Sequence, residues 1–321
     1  MARIVVALGG NALIRRGDPG STEVQRRNLV AAAASLVELA SAGHDLVLTH
    51  GNGPQVGYLA IEADAARDVV PPPPLDVLVA ESQGQIGYLL TQALAEAFAA
   101  RGKRPSIATV LTQVVVDTAD PAFRSPTKPV GPSYDEATAR ALAGEHGWSV
   151  ARDGSSWRRV VPSPTPKAIV EAPSIRTLVD AGTIVVACGG GGIPVARAPD
   201  GSHVGVEAVI DKDSCAVLLA EEVQAHALLL LTDVAAVHVG WGTSSAVPLR
   251  RLSLAGASAG VADGSFASGS MGPKVAAAAE FVRRTGRRAA IGSLENAIAV
   301  FEGRSGTTLV DEIEGRRSQA A

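Results

Sequence analysis

The chain has 321 residues, 46% of them hydrophobic, with 29 Lys and Arg against 32 Asp and Glu and a formal net charge of −3. A charge this small, with no long basic run, argues against nucleic acid or a membrane surface as the main partner and favours a small soluble ligand. The two cysteines, Cys188 and Cys215, stand outside any CxxC or Cys/His cluster, which argues against a disulfide framework or a zinc site and marks both as core thiols.

Met1-Ala2-Arg3 runs directly into the aliphatic stretch Ile4–Leu8, a start too short for a secretory signal. Elsewhere no apolar stretch approaches the roughly 20 residues needed to span a bilayer, so a cytoplasmic location is expected. Ile4–Leu8 is followed by similar short runs at Leu46–Thr49, Ile107–Leu111, Ile184–Cys188 and Leu228–Thr232, which read as buried parallel strands. Helical periods lie between them. Leu29, Ala33, Leu36 and Ala40 share one face that stops at Gly43, and Ile86, Leu90, Leu94 and Phe98 share another that stops at Gly102. The alternation predicts right-handed βαβ crossovers in a covered sheet, within one large domain or two closely joined lobes. Pro71–Pro74 reads as a stiff spacer delivering Leu75 into the next helix. Residues 117–166, with prolines at 121, 126, 129, 132, 162, 164 and 166 and a β-like run Trp157–Val161, read as an inserted lid.

Three glycine segments follow strands: Gly9-Gly10-Asn11, Gly51-Asn52-Gly53 and Gly189 to Gly192. Glycine lets the backbone turn and approach a ligand without a Cβ in the way, and the helix that follows points its positive end inward, so anions are expected at this sheet edge. These loops offer backbone amides and an Asn amide but no Arg fork, which suits a small planar anion. His50, at a strand end, reads as structural.

Lysines complete the pattern. Asp211-Lys212-Asp213 opens a helix whose inner face carries Ala216, Leu219 and Ala220. Met271-Gly272-Pro273-Lys274 opens another, with Val275, Ala278, Ala279 and Val282 buried and Pro273 at the first helical position. Lys128 stands in Pro126-Thr127-Lys128-Pro129. Phosphoryl transfer needs cations along the phosphates more than it needs a covalent catalyst, and an acceptor that is already anionic needs no general base.

With Ala7-Leu8-Gly9-Gly10-Asn11-Ala12-Leu13, Thr49 to Gly57 (THGNGPQVG), Pro126 to Pro132 (PTKPVGP) and Gly269 to Lys274 (GSMGPK), the chain resembles carbamate kinase of the amino acid kinase superfamily almost end to end. The resemblance implies an α/β fold, a three-layer α/β/α sandwich around a mostly parallel sheet. It implies one domain over residues 1–315, with a carbamate lobe about 1–211, a lid about 117–166 and a nucleotide lobe about 212–315, then a tail 316–321. It further implies a homodimer, ATP/ADP with Mg²⁺, and reversible conversion of ATP and carbamate to ADP and carbamoyl phosphate. Carried over by motif, Lys212 and Lys274 hold the phosphoryl group in flight, Asp213 orients them and Lys128 reaches in from the lid. Gly9, Gly10, Asn11, Gly51, Asn52 and Gly53 bind carbamate and the transferring phosphate; Thr232, Asp233, Val234, Val237, Trp241, Met271 and Pro273 serve the nucleotide, with Trp241 stacking on the base. No protein metal site is assigned. Acetylglutamate kinase, a related enzyme, carries a first-strand lysine where this chain has Ala7, and Lys128 supplies the missing charge. Lys167 lies one step beyond the family's lysine and receives no role.

Two other readings stay open on sequence: the same fold acting on another small carboxylate, phosphate or phosphonate, and a catalytically silent nucleotide-binding sensor. The retained lysines and Asp213 speak against the sensor.

Overall fold

In the first strand, β1 (Arg3–Leu8), Ile4, Val6 and Leu8 face one side and Val5 and Ala7 the other, and all five are fully buried. A strand buried on both faces has to lie in the middle of a covered sheet. The computed structural model describes residues 1–10, 13, 14, 18, 20–243, 245–266 and 271–311. The expected Asn11 and the tail 316–321 lie outside them.

The other strands of the main sheet are β2 (Asp45–His50), β3 (Ile107–Thr109), β4 (Ile184–Val186), β5 (Ala227–Thr232), β6 (Arg251–Ser253), β7 (Arg288–Ser293) and β8 (Thr307–Val310). They lie in the order β6-β8-β7-β5-β1-β2-β4-β3. From β7 to β3 every neighbouring pair is parallel; β8 runs antiparallel to β7 and carries β6 parallel to itself. The five expected strands are all here, with β3 and β4 each two residues shorter at the C-terminal end than the sequence suggested.

Three helices cover one face: α1 (Thr22–Ser41), the 25-residue α3 (Leu75–Ala99) and α9 (Ala297–Phe301), packing Leu29, Leu36, Ile86, Leu90 and Val300 against Ile4, Leu48 and Leu229. The opposite face packs α5 (Ala172–Asp180), α6 (Lys212–Glu222) and α8 (Met271–Thr285) against Val5, Val47 and Leu228. The result is the three-layer sandwich. The remaining helices are α2 (Gly53–Ala65), α4 (Glu136–His146) and α7 (Leu254–Ala262).

Local signals work as chemistry requires. The helix α1 starts at Ser21, whose hydroxyl accepts from the Val24 N–H, and it is followed by Gly43 at φ +88°, a left-handed conformation that glycine adopts without a Cβ penalty. Pro74 holds an extended backbone (φ −66°, ψ 162°) immediately before Leu75, whose N–H is bonded by the Glu207 carboxylate at 2.8 Å.

Within 117–166, strands Lys128–Tyr134, Ser156–Val161 and Ser149–Asp153 form a separate antiparallel sheet in that order, with α4 beside it. It meets the body through Val130 and Val161, packed with Val56, Leu78 and Val209. A second small sheet, unforeseen in the sequence, joins strands 203–205, 193–197, 113–115 and 168–169.

Candidate active site

The strand-end glycines converge because parallel register brings them to one edge. The Gly9 N–H donates to Leu231 O at 2.8 Å and the Gly51 N–H to Leu8 O at 3.2 Å, so each turn is stitched to the neighbouring strand. These two N–H groups are used in the sheet; what Gly9 and Gly51 bring to the edge is the lack of a side chain. A Cβ on Gly51 would lie 3.5 Å from Gly10 and 3.7 Å from the Lys212 Cε, which places Gly10, Gly51 and Lys212 around one point.

The third glycine segment sits behind. Gly190, Gly191 and Gly192 all have φ between +67° and +96°, and a Cβ on Gly190 would strike the Asn52 amide at 2.1 Å while one on Gly191 would strike Ile210 O at 2.3 Å. The segment threads between the loop at Asn52 and the start of α6. Asn52 is buried and its amide donates to Ser82 Oγ at 2.7 Å, so its side chain braces the loop from inside. Gln83 ties the back of the site together, its amide donating to Gly189 O at 2.9 Å and its carbonyl accepting from the Thr112 N–H at 2.9 Å. His50 is fully buried, which lowers its pKa to about 4; Gly51 O favours the charged ring and Lys212 opposes it. The neutral ring donates from Nδ1 to Gly51 O at 3.1 Å, a structural role.

The lysines meet on aspartates. Lys212 and Lys274 both donate to Asp213, Lys212 to Oδ1 and Lys274 to Oδ2, the latter at 3.0 Å. Asp213 is 4% exposed and Lys274 7%. Burial pushes the Asp213 carboxyl toward its neutral form, yet the two ammonium groups outweigh it and hold the pKa far below the usual carboxylate range. Burial lowers the Lys212 pKa, with Asp213 resisting and Lys274 reinforcing the shift.

Both lysines stand at helix starts, where the helix dipole adds positive potential. Lys212 is the first residue of α6 and Lys274 lies in the first turn of α8. Pro273 is the third residue of the described helix and not the first; in the opening turn its missing N–H costs no helical bond.

Asp211 caps α6. Its Oδ1 accepts from the N–H groups of Asp213 and Ser214 at 3.0 and 3.1 Å, and its Oδ2 accepts from Lys128 Nζ at 2.6 Å, across 83 residues of chain. The sequence showed this aspartate inside the Asp-Lys-Asp motif but gave no sign of its distant partner. Three ammonium groups against two carboxylates leave one net positive charge at the cluster.

The expected nucleotide residues divide. Thr232 ends β5 beside Gly9, with its hydroxyl bonded to Asp233 at 3.0 Å, and Val234 follows half-buried. Val237 is fully buried in the core and its N–H donates to Thr307 Oγ1 at 2.9 Å. Trp241 is 53% exposed and meets His238 edge-on at 5.2 Å. Met271 is half-buried against the core. A cavity of about 1150 Å³ lies under the lid against α6, α7 and α8, with Lys128, Asp211, Arg158 and Pro273 in its walls. Lys128 and Asp211 thus join the cavity to the charge cluster, while Lys212, Lys274 and Asp213 stand outside its lining.

Comparison with known proteins agrees on one neighbourhood. The model of the amino acid kinase family matches residues 2–293. A carbamate kinase from Pyrococcus horikoshii is 48% identical over 308 residues, covering 95% of this chain and 98% of its own. Among solved structures, carbamate kinase from Giardia lamblia bound to citric acid superposes with a TM-score of 0.91 at 41% identity, covering 97% of this chain and 98% of its own. The same enzyme bound to AMP-PNP gives 0.89, with the same identity and coverage.

Proposed function

We infer the function from one premise: the chain belongs to the amino acid kinase family, and within it to the carbamate kinases. It is a phosphotransferase that moves a phosphoryl group reversibly between ATP and carbamate, giving ADP and carbamoyl phosphate. The observation that carries this reading onto particular residues is the single buried carboxylate of Asp213 receiving both Lys212 and Lys274 at two helix starts.

In the forward direction a carbamate oxygen attacks the γ-phosphorus of ATP as the bond to the β-phosphate oxygen breaks, and ADP leaves. Carbamate is already an anion, so no proton must be removed. Lys212 and Lys274 bear the charge that spreads over the transferring oxygens, while Asp213 fixes both ammonium groups so that little reorganisation remains. Lys128 adds the third cation from the lid. Gly10, Gly51 and Gly53, with Asn11, surround carbamate, and Gly9 and Asn52 shape that edge from the sheet and from behind. Thr232, Asp233, Val234, Trp241, Met271 and Pro273 border the nucleotide, Val237 supporting them from the core. Asp211 and Asp213 are already engaged by lysines, which fits Mg²⁺ arriving with the ATP phosphates as part of the substrate.

In this reading residues 117–166 act as the lid, residues 1–211 and 212–315 as the carbamate and nucleotide lobes, and 316–321 as a tail. Two copies associate through the exposed side of α3. The enzyme works in the cytoplasm and makes ATP from carbamoyl phosphate during arginine catabolism. No helix among the described residues is long and apolar enough to cross a membrane.

The direct test supplies ADP, Mg²⁺ and carbamoyl phosphate to the purified protein. ATP should appear, and its absence, together with ADP release on some other small acid in the reverse direction, would overturn the choice of acceptor.

A further inference from the structure

The capping aspartate of α6 has two oxygens with two different tasks. Oδ1 receives the N–H groups of Asp213 and Ser214, which is all that helix capping asks of a side chain. Capping does not explain Oδ2, which receives the lid ammonium of Lys128 at 2.6 Å. We propose that Asp211 is a positioning residue for phosphoryl transfer, holding Lys128 against the start of α6 and so fixing where the third cation stands.

The geometry around both partners supports this. Lys128 begins a lid strand paired to Val161, and two residues on, Val130 is buried against Val56 and Leu78. At Gly131 the strand crosses α2 so closely that a Cβ on Gly57 would lie 2.1 Å from the Gly131 Cα. The strand therefore meets the body at Val130 and Gly131, and Asp211 fixes the free end of the lysine side chain that precedes them. Burial and the Asp213 charge push the Asp211 carboxyl up, but the Lys128 charge together with the hydrogen bonds from Lys128 and the Ser214 N–H outweighs them and holds its pKa below the usual carboxylate range, so Asp211 is a carboxylate at neutral pH. Asparagine caps helices about as well as aspartate, so the cap alone does not call for a charge here.

This inference rests on the reading of Lys128 as part of the transfer machinery, and the test separates the two. Asp211→Asn keeps a capping oxygen and removes the charge; it is made in the full chain alone and together with Lys128→Ala, and ATP formation from ADP and carbamoyl phosphate is followed. Asp211→Asn should lower kcat/KM about tenfold or more in the native background and less than about twofold in the Lys128→Ala background. Thermal midpoints should agree within about 2 °C, since the cap is kept. Equal losses in both backgrounds, no loss at all, or a gain in rate would overturn the proposal. Hydrogen exchange of the amides of Val130, Gly131, Ser133 and Tyr134 gives a readout independent of turnover: it should rise equally in Asp211→Asn, Lys128→Ala and the double variant. Additive rises would show that the two residues act separately. A protein that makes no ATP but shows the shared rise would keep the contact and reject the functional reading beneath it.

Discussion

Asp213 is the residue on which the site's electrostatics turn. A buried carboxylate with two ammonium partners is costly to disturb, because removing one partner leaves charge without compensation in a poorly solvated place. Lys212→Ala and Lys274→Ala should therefore each lose roughly 2 to 4 kcal/mol of transition-state stabilisation, and the double variant should lose less than the sum because the pair acts as a unit. Steady-state kcat/KM in both directions measures this, and near-native activity in either single variant would remove that lysine from the proposed role. These two lysines and Asp213 were legible in the sequence, since each lies in a short signature at a helix start. The bond from Asp211 to Lys128 was not, because nothing local in either segment encodes a partner 83 residues away.

At the scale of elements, the lid is seated by an absence. Gly57 and Gly131 touch backbone to backbone, and no rotamer can relieve a methyl group placed 2.1 Å from a Cα atom. Gly57→Ala should push the lid strand away from α2 and carry Lys128 with it. The expected result is a kcat/KM reduced about tenfold or more with the circular dichroism spectrum retained. A native rate in Gly57→Ala would mean that the lid contact does not set the site. Lid strand Lys128–Tyr134 was hard to read because it contains Pro129 and Pro132, residues that argue against strand; Pro132 falls in a register break between Val130 and Tyr134, and Pro129, opposite Val160, sits on an edge strand of the small sheet. Strand β7 escaped for another reason. Its sequence, Arg-Ala-Ala-Ile-Gly-Ser, is poor in β-branched residues, and it lies in the sheet because small side chains fit beneath α8 and α9.

For the whole molecule, alternation of strands and helices was enough to announce a covered parallel sheet, while the antiparallel return of β8 and the second small sheet came only with the structure. The outer side of α3 exposes Val77 and Tyr88, and Tyr88 shares an open depression with Gly84 and Leu111. Sedimentation should give twice the chain mass, and Tyr88→Glu should shift it toward the single chain; a monomer at every concentration would end the dimer proposal.

The pairing of β1 with β5 has a consequence for how the protein is made. β1 ends at residue 8, yet one of its two edges is completed only by residues 227–232. On the ribosome that edge stays open until residues 227–232 have been synthesised, long after β1 itself, and an unpaired apolar strand is an invitation to wrong partners. The newborn chain thus needs shelter for β1 until its distant partner emerges, and mistakes in folding should begin at that strand.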